Sequence, residues 1–164
     1  VFVIGQRTND EYILLATEEL FLAVPNGHPV CEEHDFKRHQ KQNENLNFPE
    51  LDIRRLKYEP FVLMYKESTI RQWVDQLFAQ AGFLPNVLFE TASNETILTM
   101  IRSRLCCGVI PAYYLQKPDE NLVCFSLPEH PVWDVAASYR KGSYLSKAAR
   151  YFIKLAAEYW NKIP

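Results

Sequence analysis

The sequence predicts an α/β fold, because strand-like and helix-like segments alternate along its middle third and each helix starts in a polar turn after a strand. Apolar runs rich in β-branched and aromatic residues predict the strands, and apolar residues three and four positions apart predict the helices. The predicted order is a strand at 61–65, a turn at 66–69, a helix to residue 81, a strand at 87–90, a turn at 91–94, a helix to residue 104 and a strand at 106–111.

The first of these helices has an apolar stripe with helical spacing, formed by Ile70, Trp73, Val74, Leu77 and Phe78. Ser68 or Thr69 is expected to cap its start, and Gly82 is expected to end it. The second helix has a similar stripe, formed by Ile97, Leu98, Ile101 and Leu105. Ser93 or Asn94 is its expected cap.

The rest of the chain contains shorter strand signals, polar connections and a long terminal helix. Short apolar runs predict strands at 1–4, 12–16, 19–24, 122–125 and 133–139. The segment 31–49 is charged and rich in amides, which predicts a solvated loop or a frayed helix, and 51–56 predicts a short amphipathic turn. The last helix is expected to start near Ser143 and to reach Asn161.

Composition argues against several classes of function for this chain. It has 18 basic and 20 acidic residues among 164, and the net charge of -2 gives no broad basic surface for nucleic acid. No apolar run approaches the ~18 residues of a membrane span, and residues 1–4 are too short for a signal peptide. Since the chain starts with Val1, it is expected to be an excised fragment. Four cysteines do not form a disulfide framework, so reduced core thiols in a cytoplasmic protein are expected.

Two polar turns are the candidate binding site. Ser68 and Thr69 start the first helix, and the second turn contributes Thr91, Ser93 and Asn94. Both turns follow strands, and ligands of open α/β sheets bind at the carboxyl ends of strands. A helix start offers unpaired N–H donors and the positive end of the helix dipole, so a small anionic molecule is the expected ligand, and Lys66 could add a positive charge. The alternative is that these hydroxyls only cap helices.

Other chemistry is less well supported by the sequence. Cys31, His34 and His39 have ligand-type spacing, but no fourth ligand is evident, so a solvated loop is favoured over a metal site. The sequence contains no G-x-S-x-G elbow, Walker A loop or G-x-G-x-x-G fingerprint, and it has only five glycines. We therefore expect no catalytic residue, no metal and no cofactor.

An ordered set of short motifs covers nearly the whole chain and resembles LysR-type transcriptional regulators. The matching segments are 19–25 with the Gly-His-Pro turn at 27–29, then 49–53, 59–63, 81–85, 90–96, 108–111 and 139–142. The family often has glycine where Arg104 and Cys106 stand, which puts the usual helix-to-strand turn there in question.

The resemblance implies a periplasmic-binding-protein-like (type 2) effector-binding domain of two α/β lobes. Residues 13–127 would form a complete second lobe, and 1–12 with 128–164 a partial first lobe, without the family's DNA-binding winged helix-turn-helix. DNA would then be bound only through that missing domain. The implied effector lies between the lobes and touches the two polar turns and Gln6 at the crossover. The implied homo-oligomer would use the helix surface of Ile70, Trp73, Val74 and Leu77.

Two alternatives remain at this point. A solute-binding protein of a transporter would share the fold, although four cysteines and the lack of a signal sequence count against it. A small enzyme using Cys31 or Cys107 lacks an evident base and a catalytic motif.

Overall fold

The computed structural model describes residues 9–32, 48–117 and 119–161. These residues form strands and helices that we number in chain order. They are β1 Asp10–Pro25, β2 Pro60–Met64, α1 Thr69–Ala81, β3 Asn86–Thr91, α2 Asn94–Arg102, β4 Gly108–Pro111, β5 Leu122–Ser126, β6 Val132–Arg140 and α3 Lys147–Trp160. Short 3-10 turns occupy Pro29–Cys31, Ile53–Leu56 and Ala112–Leu115.

The chain divides into two compact units, one of Val1–Glu18 with Val132–Pro164 and one of Glu19–Pro131. The predicted lobes, 13–127 and 1–12 with 128–164, divide the chain a few residues away from these boundaries. The assignment of lobes stays a prediction.

The unit Glu19–Pro131 contains antiparallel and parallel strands. The second half of β1 lies between β4 and β5 and is antiparallel to both, with Leu22 opposite Val109 on one side and Phe125 on the other. β2 and β3 form a parallel pair.

Cys107, which directly precedes β4, links the antiparallel strands β1, β4 and β5 to the parallel pair of β2 and β3. Its N–H donates to the carbonyl of Pro60 at 2.8 Å, and its carbonyl accepts from the N–H of Val62 at 3.1 Å. The bridge between Phe61 and Cys107 is parallel, so β2, β3 and β4 run in the same direction. Their carboxyl ends therefore lie at the same edge of the sheet, where α1 and α2 begin.

The two helices cover this sheet with the apolar stripes that the sequence predicts. Four of the five stripe residues of α1 are buried, and the ring of Phe78 meets that of Phe61 edge-on at 5.0 Å between centroids. The α2 side chains Ile97, Leu98 and Ile101 are at most 1% exposed and form one cluster with strand residues of the same unit. Trp73 and Leu105 depart from the prediction, since both are exposed.

The other unit contains the first half of β1, β6 and α3. The two strands pair, with Lys141 N–H donating to the carbonyl of Asn9 at 2.9 Å and the hydroxyl of Thr17 donating to Asp134 at 2.6 Å. α3 has no buried residue, and its apolar side chains Phe152 and Leu155 are exposed.

The prediction of two separate stretches at 12–16 and 19–24 was wrong, because β1 continues through both. Thr17 and Glu18 have no strand-like pattern of their own, yet Thr17 bonds to Asp134 and Glu18 is buried. Pairing with other strands thus overrides local sequence preference at this point.

Two helix boundaries also differ from the prediction. α3 begins at Lys147 rather than near Ser143, because Ser146 is the residue whose hydroxyl caps it, accepting from the N–H of Ala149 at 3.1 Å. α2 ends at Arg102 rather than at Arg104. The predictions for residues 1–4 and most of 31–49 lie outside the described residues.

Candidate functional site

The start of α1 lies at the carboxyl end of β2. Ser68 occupies the N-cap position with extended dihedrals, and the first helical bond runs from the N–H of Gln72 to its carbonyl at 3.2 Å. Its hydroxyl makes no capping bond, contrary to the expectation that Ser68 or Thr69 caps the helix. The first-turn N–H groups at 69–71 have no partner within the helix and point out of its start.

The start of α2 differs because it is capped, as predicted. The Ser93 hydroxyl accepts from the N–H of Thr96 at 3.3 Å, and the buried Thr91 hydroxyl accepts from the N–H of Ser93 at 3.2 Å. Asn94 follows, and its side-chain Oδ1 is buried without a hydrogen-bond partner among the residues that the structure describes. A ligand that donates a hydrogen bond would satisfy this acceptor.

The two polar turns are neighbours at one edge of the sheet. Met64, the last residue of β2, lies opposite Thr91, the last residue of β3. Directly beyond this pair, the N–H of Tyr65 donates to the carbonyl of Thr91 at 2.9 Å. The predicted residues Ser68 and Thr69 are half-buried in the adjoining turn, whereas Lys66 is exposed. Parallel pairing thus brings two helix starts to the same place.

Arg71 is a central residue of this edge that the sequence reasoning missed. Its guanidinium is buried and donates from Nη1 to the carbonyl of Met64 and to Glu90, both at 2.7 Å. Its Nε donates to Asp75, also at 2.7 Å. Burial acts to lower the pKa of Arg71, but the hydrogen bonds to Asp75 and Glu90 outweigh it and raise that pKa. The spacing of Arg71 and Asp75, four residues apart in a helix, was the available sequence signal.

Comparison with known proteins identifies the family. The sequence model of the LysR substrate binding domain matches residues 1–161. The chain belongs to this family. It is 30% identical over 150 residues to the HTH-type transcriptional regulator YwbI of Bacillus subtilis, a match that covers 90% of this chain and 45% of YwbI. The regulator SsuR of Burkholderia cenocepacia is 27% identical over 145 residues, covering 86% of this chain and 42% of SsuR. The chain thus spans about half the length of the curated relatives it matches.

Solved structures show the same fold. The regulatory domain of CcmR from Synechocystis, in complex with 2-PG, has a TM-score of 0.75 at 18% identity and covers 99% of this chain and 73% of that domain. The effector binding domain of QuiR, in complex with shikimate, has a TM-score of 0.73 at 17% identity. This match covers 97% of this chain and 69% of the QuiR chain. The predicted periplasmic-binding-protein-like fold and the resemblance to LysR-type regulators are confirmed. The family match favours a regulator over the transporter alternative, and the LysR family is not an enzyme family.

The predicted oligomer surface of this LysR domain is largely inside its own core. Ile70, Val74 and Leu77 are buried beneath α1, and only Trp73 is exposed, at 42%. Of the four predicted residues, Trp73 alone is open to a partner, and the oligomer surface stays a prediction.

The other groups that the sequence singles out are Gln6, the Cys31, His34 and His39 set, and the core cysteines. Gln6, His34 and His39 are outside the described residues. Within residues 9–32, 48–117 and 119–161 no group of three metal-ligating side chains is present. Burial raises the pKa of the Cys106 thiol to about 11 and also raises the pKa of Cys107 and Cys124, so these thiols are poor nucleophiles near neutral pH. No helix of the described part is long and apolar enough to cross a membrane.

A cavity of about 360 Å³ opens on the flank of α2 in the same unit. Its lining residues are Glu95, Leu98, Arg102, Tyr113, Tyr114, Gln116, Lys117 and Asp119. It contains none of the predicted site residues, and Arg102 within it is already paired with Asp119 at 2.7 Å. The cavity therefore gives no support to the predicted site at the two helix starts, which stays a prediction.

Proposed function

We propose that this chain is the effector-sensing domain of a LysR-type transcriptional regulator and that it binds a small anionic molecule at the starts of α1 and α2. The observation that carries this proposal is the start of α1, where Ser68 stands at the N-cap with its hydroxyl unused. A helix start with free N–H donors and a positive dipole end stabilises an anion. The shikimate in the QuiR domain is a carboxylate, which fits this chemistry.

Regulation follows from differential binding. An effector shifts the domain between two arrangements only as far as it binds one of them more tightly. The net charge of -2 gives the chain no basic surface of its own for DNA, so we assign DNA binding to another part of the protein, which acts in the cytoplasm. Binding, rather than conversion, of the small molecule is all that this mechanism requires.

We also propose that the domain associates with a second copy of itself through Trp73 and the exposed side of β3. Trp73 is an exposed apolar side chain, and Leu88 and Phe89 of β3 are also exposed, at 54% and 50%. Aromatic side chains of this kind are enriched at protein interfaces. Sedimentation equilibrium of Trp73→Ala should then show a weaker dimer than the wild type, with Tyr58→Ala, another exposed aromatic, as the matched control.

The effector site can be tested by titration of the labelled domain with shikimate, glycolate and inorganic phosphate, followed by amide NMR. Binding at the proposed site would shift the amides of 68–71 and 93–95 more than those of β5. Thr69→Ala should weaken binding by more than its loss of stability explains, whereas Thr99→Ala, within α2, should not. Shifts confined to other parts of the domain would contradict the assignment.

A further inference from the structure

We propose that Arg71 is a positioning residue, which fixes the two polar turns against each other so that effector contacts on both turns depend on it. Its effect on binding rests on the function proposed above, whereas its effect on the two turns does not. Arg71 is 5% exposed, and its guanidinium contacts the carboxyl ends of β2 and β3 from the first turn of α1.

Two contacts of Arg71 reach two different strands. The carbonyl of Met64 belongs to the last residue of β2, and the turn to α1 starts directly after it. Glu90 precedes Thr91, the last residue of β3, after which the turn to α2 starts. One nitrogen, Nη1, contacts both acceptors at 2.7 Å, so a single group sets where both turns begin.

The third contact differs in kind because it stays within α1. Asp75 lies four residues after Arg71 on the same helix and is half-exposed. It neutralises the guanidinium but links no second element. Glu90 and Asp75 therefore make a matched pair, since each is a carboxylate 2.7 Å from Arg71 and only Glu90 connects β3 to α1.

The positive charge of Arg71 is paired with acceptor groups inside the protein. A buried guanidinium is stable only when its donors are paired, and here two carboxylates and a carbonyl surround it. The two carboxylates neutralise its positive charge within the protein. Its planar fork suits simultaneous contacts in fixed directions, which a lysine ammonium does not reproduce.

Amide hydrogen exchange tests the structural part without any ligand. The reporter is the N–H of Tyr65, which bonds to Thr91 between the two turns, and the reference is the N–H of Cys107, which bonds to Pro60 at the other end of β2. In Glu90→Ala the exchange of Tyr65 should rise about tenfold relative to Cys107, since loss of a charged hydrogen bond opens this edge locally. Arg71→Lys should also raise the ratio of the Tyr65 exchange rate to the Cys107 exchange rate. Asp75→Ala should leave this ratio unchanged.

Two results would overturn the proposal. An unchanged ratio in both Glu90→Ala and Arg71→Lys would show that Arg71 does not hold the turns. Equal ratios in Glu90→Ala and Asp75→Ala would show that Arg71 acts only through its charge or through overall stability.

Shikimate titration of the same variants tests the consequence for binding. Glu90→Ala should weaken binding about tenfold, and Asp75→Ala should stay within about twofold of wild type. Equal weakening in both variants would overturn the role in binding. If the wild type shows no shikimate shifts at either turn, that result counts against the proposed effector site, while the exchange ratio still decides the role of Arg71.

Discussion

A Cβ atom on Gly108 would lie 2.6 Å from Cγ2 of Ile97, a distance that real Cβ atoms do not reach. Gly108 is the first residue of β4, and Ile97 is a buried residue of α2, so the helix rests directly on the strand backbone. Gly108→Ala should therefore destabilise the domain by about 1–3 kcal/mol, because a β-branched side chain cannot turn its methyl away easily. Urea unfolding of the two proteins measures this difference.

A double-mutant cycle with Ile97→Leu shows whether this contact is the cause. Leucine lacks the methyl group on Cβ, so the added methyl of Gly108→Ala should cost less in the leucine background. If the alanine costs the same free energy in both backgrounds, the contact with Ile97 does not limit this position.

Gly82 and Arg104 hold the same place after α1 and α2. After each helix, two N–H groups bond back to the last turn: those of Gly82 and Phe83 after α1, and those of Arg104 and Leu105 after α2. Both residues are left-handed, with φ of 76° and 61°. This arrangement favours glycine, and Arg104 carries a Cβ that is strained there.

Arg104→Gly should therefore stabilise the domain by up to about 1 kcal/mol, and Gly82→Ala should destabilise it by about the same amount. Thermal or urea unfolding would measure both. Arg104→Ala is the control, because it removes the side chain but keeps the left-handed strain. Stabilisation by Arg104→Ala equal to that by Arg104→Gly would assign the effect to the side chain instead of the backbone.

Ser68 and Ser93 stand at equivalent N-cap positions but make different bonds. The hydroxyl of Ser93 accepts from Thr96, whereas that of Ser68 caps nothing. Ser93→Ala should cost about 1 kcal/mol in unfolding free energy, and Ser68→Ala should stay within about 0.5 kcal/mol. Equal losses in the two variants would mean that Ser68 caps α1 after all, and the argument for a free helix start would fail.

Local signals predicted the alternating elements well, and long-range partners explain what they missed. The bounds of α1 follow from its apolar stripe and from Gly82, which ends the helix, and all these signals lie within one short segment. Arg71 looks like a surface charge by periodicity, and its burial depends on Glu90, 19 residues away. The two predicted turns lie at neighbouring strand ends as expected, but the sequence does not show that the hydroxyl of Ser68 makes no capping bond.

Arg104 stands where the family resemblance led us to expect glycine, and its turn could not be decided from the sequence. The sequence put the turn after α2 in question, because arginine is bulkier than glycine and charged, and the structure shows that Arg104 is also left-handed. The turn forms nevertheless, since its two backbone hydrogen bonds and the burial of Cys106 directly after it offset the local strain.

His130 should make the stability of the domain depend on pH. Its Nδ1 lies 2.8 Å from Glu19 and its Nε2 3.4 Å from Glu50, and the hydrogen bond to Glu19 is the main cause that raises its pKa. A raised pKa in the folded state means that the stabilisation is fully present below the unfolded value of about 6.5 and is lost as pH rises through the folded value. The difference in unfolding free energy between wild type and His130→Gln should therefore shrink from pH 6 to pH 8.5, and NMR titration of the ring should give a midpoint above about 6.5. Glu19→Gln should lower that midpoint, and a wild-type midpoint at or below the unfolded value would show that the contact with Glu19 is not kept in solution.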